Sequence, residues 1–263
     1  MTAVPRKGSP GDGRARPPVR VAAAGDVHCS ESNRDAIAAA FAEIDDRVDL
    51  ILLAGDLTTH GEPEQARVLA DACRPLSTQV IAVLGNHDYH SDRREEVIVE
   101  LEEAGVGVLD PGWRTCTVGD QEIGVVGAKG FVGGFAPTHL PDWGEPALRR
   151  VYAETTAEVE AIAEGLRAVA LCPLRVVLLH YAPIAETLRG EPTEIWTFLG
   201  TDRMAAPIVE HTPDLVLHGH AHAGTFEGAL AGVPVYNVSV PVMGRDFWVF
   251  ELSSPRRPTT PIH

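Results

Sequence analysis

The 263-residue chain has little cysteine, few aromatic residues and no long apolar run, and these shortages exclude several classes of protein. Its four cysteines are widely spaced and form no Cys-x-x-Cys pair, so neither a disulfide framework nor a cysteine zinc site is predicted. No stretch approaches the roughly 18 apolar residues of a membrane helix. The residues before Val19 lack the apolar segment of a secretory signal. We therefore expect a cytoplasmic protein with reduced thiols and no membrane partner.

Positive charge is also scarce, since 22 Lys and Arg stand against 37 Asp and Glu and the formal net charge is -15. Binding to a nucleic acid duplex or an anionic membrane normally needs a basic face, so neither partner is expected. A small phosphorylated substrate stays compatible with this composition, because a bound metal can supply positive charge locally. The oligomeric state is left open by the sequence.

The chain divides into a short tail, one domain and a loose end. Residues 1–18 are rich in Pro, Gly and Arg and are predicted to be a disordered tail. A single domain is expected over 19–253, and 254–263 is expected to be a loose C-terminal end. The first half of the domain alternates strand and helix patterns, which favours an α/β fold with parallel strands. Two irregular segments, 129–144 and 181–200, are predicted to be loops, and a loop as long as the first is usually either functional or disordered.

Five apolar runs end in polar side chains that can bind a metal or transfer a proton. These side chains are Asp26 and His28, Asp56, Asn86 with His87 and Asp88, His180, and the histidines from His218 to His222. In open α/β sheets, ligands bind outside the carboxyl ends of the strands. If the five strands lie side by side, their polar ends converge on one site.

Seven of these residues are candidate metal ligands: Asp26, His28, Asp56, Asn86, His180, His220 and His222. Imidazole, carboxylate and amide donors suit Mn, Fe or Zn better than ions that prefer thiolates. Seven ligands are too many for one tetrahedral site, but they suit two ions that share a carboxylate. In extended backbone, residues two apart point to the same side, so the Asp-x-His and His-x-His pairs could each clamp an ion.

Two metal ions about 3.5–4 Å apart are suited to in-line displacement at phosphorus. A water that bridges them would lose a proton near neutral pH and act as the nucleophile, while the ions neutralise the phosphoryl oxygens. His87 lies beside Asn86 and is not needed for ligation, so it is the candidate proton donor to the leaving alkoxide. Asp88 is expected to hold the His87 ring in orientation, as carboxylates commonly do for histidine. The predicted catalytic residues are therefore His87 and Asp88.

The candidate ligands fall into five ordered blocks. The blocks are Asp26-x-His28, Gly55-Asp56, Gly85-Asn86-His87-Asp88, the single His180, and Gly219-His220-x-His222. Together they resemble the blocks of the calcineurin-like metallophosphoesterases. The resemblance implies a four-layer α/β/β/α sandwich of two mixed sheets flanked by helices, with His87 as the catalytic histidine. It implies one ion held by Asp26, His28, Asp56 and His222, and a second held by Asp56, Asn86, His180 and His220.

Two of the blocks differ in sequence from those of one branch of this family, which makes some activities of the family less expected than others. The protein Ser/Thr phosphatase branch carries GDxVDRG and GNHE, whereas residues 55–61 read GDLTTHG here and residues 85–88 read GNHD. The chain is more similar to the bacterial small-phosphoesterase and cyclic-nucleotide-phosphodiesterase-like branch. This favours a phosphodiesterase that acts on a small phosphorylated or nucleotide substrate.

Three other functions are alternatives to this one. Phosphomonoester hydrolysis uses the same ions and stays open. A non-catalytic metal-binding scaffold would be expected to lose ligands, and this chain keeps all seven. A metallo-β-lactamase-like hydrolase would need an HxHxDH block, and the sequence contains none.

Overall fold

The computed structural model describes residues 17–253, which contain two large sheets. The strands are β1 (Val19–Ala24), β2 (Leu50–Ala54), β3 (Gln79–Val83), β4 (Gly107–Leu109), β5 (Gly112–Val118), β6 (Gln121–Ala128), β7 (Gly134–Phe135), β8 (Thr138–His139), β9 (Leu174–Leu179), β10 (Leu215–His218), β11 (Glu227–Leu230), β12 (Val233–Asn237) and β13 (Trp248–Leu252). The helices are α1 (Arg34–Asp45), α2 (Pro63–Cys73), α3 (Arg94–Glu102), α4 (Pro146–Ala168), α5 (Trp196–Leu199), α6 (Ala205–His211) and α7 (Val240–Met243).

The predicted ends of the chain fall almost wholly outside the described part. Of the predicted tail, only residues 17 and 18 are described, and they lead directly into β1. The predicted loose end at 254–263 lies outside the described residues. The domain boundaries at 19 and 253 stay a prediction.

The first sheet has the strand order β13-β1-β2-β3-β4, and only β13 runs antiparallel to its neighbour. Leu52 lies opposite both Ala23 and Ile81, so the three central strands are aligned in register. Strands of parallel sheets are buried on both faces, which explains why these segments read as unbroken apolar runs. Helices α1, α2 and α3 cover the outer face and bury Phe41 and Leu69 against it.

The second sheet has the order β11-β12-β10-β9-β6-β5, with parallel central strands and antiparallel edges. Ile162 of α4 and Ile208 of α6 pack on its outer face. Its inner face carries Val125, Val176 and Leu217, which meet the inner face of the first sheet in one shared core. The predicted four-layer α/β/β/α sandwich of mixed sheets and flanking helices is confirmed.

The two long segments expected to be loops contain short elements and pack on each other. Segment 129–144 holds the hairpin β7-β8, and segment 181–200 holds α5. The N–H of Gly133 donates to the carbonyl of Thr197 at 3.0 Å, and the N–H of Gly134 donates to Gly200 at 2.9 Å. We call these two segments the cap. No helix between residues 17 and 253 combines the length and apolarity needed to cross a bilayer.

Candidate metal centre

The polar residues that follow β1, β2, β3, β9 and β10 meet at one edge of the sandwich, so both sheets contribute to the site. In a first group, the ligand atoms of Asp26, His28, Asp56 and His222 lie within 4.8 Å of one another. In a second group, Asp56, His180 and His220 meet the same criterion. Asn86 adjoins the second group, because its Oδ1 lies 2.8 Å from Nε2 of His180. The structure thus brings all seven predicted ligands together.

Asp56 belongs to both groups, and its two carboxylate oxygens face different partners. Oδ1 accepts the backbone N–H of His87 at 2.8 Å and lies 3.3 Å from Nε2 of His180. Oδ2 lies 3.9 Å from Nε2 of His28. Burial raises the pKa of this carboxyl, and the neighbouring carboxylate of Asp26 raises it further. Two buried carboxylates this close together favour a positive charge between them.

Asp26 is held by histidines from the end of β10. Its Oδ1 lies 2.9 Å from Nε2 of His222, and its Oδ2 accepts the backbone N–H of His220 at 2.9 Å. Burial raises the pKa of the carboxyl, but the hydrogen bonds from His222 and from the His220 backbone outweigh burial and lower the pKa to about 2. Asp26 is therefore an ionised carboxylate, able to bind a metal, throughout the physiological pH range.

Nε2 of His180 faces the second group without a proton. Its Nδ1 donates to the carbonyl of Ala54 at 2.9 Å, and burial lowers the pKa of the ring, so the imidazole is neutral. Nε2 then carries no proton, yet it lies 2.8 Å from Oδ1 of Asn86 and 3.3 Å from Oδ1 of Asp56. Three acceptors therefore converge without a donor between them. A cation would satisfy all three.

His220 is oriented in the same way by the cap. Its Nε2 donates to the carbonyl of Phe198 at 3.1 Å, which leaves Nδ1 free to bind a metal. Burial lowers the pKa of this ring to about 4, so it is neutral at pH 7. In metal-binding histidines, a hydrogen bond from the ring nitrogen that does not bind the metal fixes the tautomer and the ring angle.

His87 lies beside the ligands, and Thr59 rather than Asp88 holds its ring. Nδ1 of His87 is 2.7 Å from the carbonyl of Thr59, and Nε2 is 3.9 Å from Oδ2 of Asp56. The carboxylate of Asp88 is buried and accepts bonds from the N–H groups of Leu57, Thr58 and Gly85 and from the Thr58 hydroxyl. The orienting role predicted for Asp88 is therefore wrong, because its acceptor capacity is used to join two loops.

The backbone around the ligands is strained. Seven non-glycine residues of the described chain have positive φ, and four are candidate ligands: Asp26 at 58°, His28 at 44°, Asp56 at 49° and His220 at 70°. The extended backbone expected for the Asp-x-His and His-x-His pairs is wrong, since tight turns bring those side chains together. Conformations of this kind cluster at functional sites, where the surrounding structure holds them in place.

Gly85 shows how closely the loops approach one another. A Cβ at this position would lie 2.2 Å from both N and Oδ1 of Asp56, so only glycine fits there. The close approach of the loop that carries Asp56 therefore requires a glycine at this position of the GNHD block, in addition to any requirement of the turn itself.

Sequence reasoning missed the groups that orient the three imidazoles. The carbonyls of Ala54, Thr59 and Phe198 do this through the backbone, so their side-chain types carry no signal. His218 has no ligand role in the structure. Its ring is buried and bonded to the Thr187 hydroxyl at 2.8 Å, and burial lowers its pKa to about 4.

Comparison with known families agrees with this geometry. A family model described as calcineurin-like phosphoesterase matches residues 19–224. The chain belongs to the calcineurin-like phosphoesterase family. This confirms the resemblance read from the five blocks, and it makes the protein a metal-dependent phosphoesterase.

Solved structures share the fold of this phosphoesterase at low identity. The phosphopantetheinyl hydrolase of Mycobacterium tuberculosis is 16% identical with a TM-score of 0.62, and the match covers 94% of this chain and 99% of that one. A putative 5'-nucleotidase from Staphylococcus aureus is 17% identical with a TM-score of 0.54, over 93% of this chain and 56% of that one. GAP50, the anchor in the inner membrane complex of Plasmodium, is 10% identical with a TM-score of 0.54, over 86% and 73%. No curated protein sequence matches the chain.

Proposed function

We propose that this phosphoesterase holds two transition metal ions and hydrolyses phosphodiesters of small phosphorylated or nucleotide substrates. The observation that carries the proposal is the shared carboxylate: Asp56 belongs to both ligand groups and turns one oxygen toward each. A carboxylate in that position suits a bridging ligand. Asp26, His28 and His222 would complete one ion's set. Asn86, His180 and His220 would complete the other.

The donor chemistry of the site fits such ions. The described ligands are carboxylate and amide oxygens and imidazole nitrogens, a mixture suited to Mn, Fe or Zn. The converging acceptors of Asn86, His180 and Asp56 support a cation at that point, because the neutral His180 ring carries its proton on Nδ1, toward Ala54. When bound, the ions would polarise the phosphoryl group and supply a nucleophile at neutral pH.

His87 is the proposed proton donor to the leaving group. Its Nδ1 is bonded to the Thr59 carbonyl, so Nε2 is the nitrogen that remains for proton transfer. Nε2 faces the ligand groups at 3.9 Å from Asp56. A substrate phosphorus that lies between the two groups would place its leaving oxygen within reach of this nitrogen, directly or through one water.

The number of ions is tested by elemental analysis of protein purified with Mn²⁺. We expect two ions per chain in the wild type. Because Asp56 is shared, Asp56→Ala should lose both, whereas His180→Ala should lose one. A single ion in the wild type, or the loss of only one ion from Asp56→Ala, would contradict the dinuclear centre.

The ester class is tested with bis-p-nitrophenyl phosphate and p-nitrophenyl phosphate. Resemblance to the phosphodiesterase-like branch favours faster turnover of the diester. A large preference for the monoester would instead establish the phosphatase alternative, which the same ligands can serve. If metal-loaded protein turned over neither ester, nor any nucleotide, sugar or lipid phosphoester in a wider screen, the non-catalytic scaffold would be the better description.

We also propose a cytoplasmic location and a small phosphorylated substrate as the partner. All four cysteines are free thiols, and three of them are buried, which supports a reducing compartment. The formal charge of -15 supports a small substrate over a polyanion.

A further inference from the structure

The ring of His90 packs against the ring of His87, the proposed proton donor. Residues His87–Tyr89 form a 3-10 turn, and the N–H of His90 donates to the carbonyl of His87 at 3.1 Å. In 3-10 geometry, side chains three residues apart eclipse one another. The two imidazoles accordingly lie with ring centroids 4.3 Å apart and planes tilted by 39°. The spacing of the two histidines in GNHDYH thus produces a ring contact that the metal ligands do not require.

The turn that carries His90 is firmly anchored. Asp88 accepts four hydrogen bonds, three from Leu57 and Thr58 in the neighbouring loop and one from Gly85. The Tyr89 hydroxyl donates to Oδ1 of Asp110 at 2.9 Å, and the Ser91 hydroxyl donates to the carbonyl of Gly61. His90 is exposed, but its backbone has little freedom, so its ring position follows from the turn.

The His87 ring has few other restraints. Thr59 fixes its Nδ1 at 2.7 Å, and the ring of His28 meets it edge-on at 4.7 Å. One hydrogen bond fixes a nitrogen but leaves the ring free to tilt about that bond. Oδ2 of Asp56 also lies 3.9 Å from Nε2, but His28 and Asp56 are proposed ligands, so their positions are set by the metal site. Among the described contacts of the His87 ring, the tilted ring of His90 is the one side chain outside the ligand set, and it can set the tilt.

We propose that His90 is a positioning residue, whose ring holds the His87 imidazole at the angle from which Nε2 reaches the leaving oxygen. This inference rests on the proposed function of His87. It predicts a defect that depends on the leaving group. An alkoxide needs the proton, whereas p-nitrophenolate leaves without one. Loss of His90 should therefore slow only the esters that depend on His87.

The test compares His90→Ala, His90→Phe and a control, His211→Ala. His211 ends α6, before β10 begins, at the edge of the sheet opposite the site. Each variant is assayed on a benzyl and a p-nitrophenyl ester of the class that the wild type hydrolyses. For His90→Ala we expect kcat on the benzyl ester to fall about tenfold, part of the roughly 10²–10⁴-fold that a positioned acid contributes. The p-nitrophenyl ester should lose less than about twofold, since it does not need the acid.

Two further readouts separate positioning from a general structural effect. The metal content and Tm of His90→Ala should match the wild type. In metal-free protein, NMR ring resonances of His87 should shift in His90→Ala and return toward the wild-type positions in His90→Phe, which restores an aromatic neighbour. His90→Phe should likewise recover most of the activity on the benzyl ester.

The outcomes that overturn the inference are distinct from those that overturn the function. Equal losses on both esters, no loss on the benzyl ester, or a His90→Phe variant as slow as His90→Ala would each contradict positioning by ring contact. If the metal-loaded wild type hydrolyses neither ester, the proposed function itself fails, and the role of His90 fails with it.

Discussion

The buried carboxylate of Asp88 should be among the most costly polar groups to alter, because its hydrogen bonds run to backbone and hydroxyl groups of the loops. Its Oδ1 accepts the N–H of Thr58 at 2.8 Å and the Thr58 hydroxyl at 2.6 Å. Its Oδ2 accepts the N–H of Leu57 at 3.1 Å and that of Gly85 at 2.8 Å. All four neighbours are donors. The carboxylate thereby joins the loop that carries Asp56 to the loop that carries the GNHD block.

The substitution Asp88→Asn keeps the shape and removes one acceptor oxygen. The amide oxygen can keep the N–H groups of Leu57 and Gly85, and the NH₂ then faces the N–H and the hydroxyl of Thr58. The Thr58 hydroxyl can turn to accept from the NH₂, but the buried Thr58 N–H is left unpaired beside a second donor, at about 1–3 kcal/mol. We therefore expect a loss of about 2 kcal/mol, which lowers Tm by roughly 4–8 °C in a chain of this size.

The measurement is thermal unfolding of metal-free protein followed by circular dichroism, with hydrogen exchange at the amide of Thr58. Asp45→Asn is the matched control. Asp45 also accepts two consecutive backbone N–H groups, those of Ser77 and Thr78, but it does so within reach of water. Solvent can replace its bonds, so the expected loss is about 1 kcal/mol or less.

Similar Tm values for the two variants would refute this reasoning, because burial would then make no difference to the cost. Retained protection of the Thr58 amide in Asp88→Asn would refute it as well. Either result would reopen the catalytic role that sequence alone assigned to Asp88.

Three other predictions concern the metal centre. Gly85→Ala should reduce retained metal to below one ion per chain, because its Cβ would collide with Asp56; Gly112→Ala, whose Cβ meets nothing closer than 3.9 Å, should retain both. In metal-free protein, the lowered pKa of Asp26 stabilises the fold by roughly 2 kcal/mol above about pH 4, and this stabilisation is lost as pH falls toward 2. The hydrogen bond from His222 is one cause of the lowered pKa, so His222→Ala should lower Tm more at pH 6 than at pH 3. An equal decrease in Tm at the two pH values would count against the pairing of Asp26 with His222. Chelation by EDTA should abolish turnover and lower Tm. Adding back Mn²⁺ at about 100 times its Kd should restore about 2.7 kcal/mol of unfolding free energy. A chelated protein that stays active would exclude a role for the metal in turnover.

The sequence by itself determined which residues meet and on what kind of scaffold. Unbroken apolar runs encode strands buried on both faces, as in Leu50–Ala54, where every residue is buried. Parallel strands place their carboxyl ends at one edge, so the polar residues after the strands of one sheet had to lie near one another. The ligand types then followed from the side chains themselves. The four-layer sandwich and the division of the ligands between two ions came from the resemblance to the family, and the packing of the two sheets brings the ends of β9 and β10 to those of β1, β2 and β3.

Only the tertiary structure decided how each group is used. Whether the Asp88 carboxylate meets an imidazole or backbone N–H groups depends on how the loop at Leu57, 31 positions away, packs against it. The orienting carbonyls of Thr59 and Phe198 lie 28 and 22 positions from the rings they hold. A hydrogen-bond partner is set by the packing of distant loops, and every residue carries the same backbone carbonyl, so side-chain patterns cannot specify these contacts.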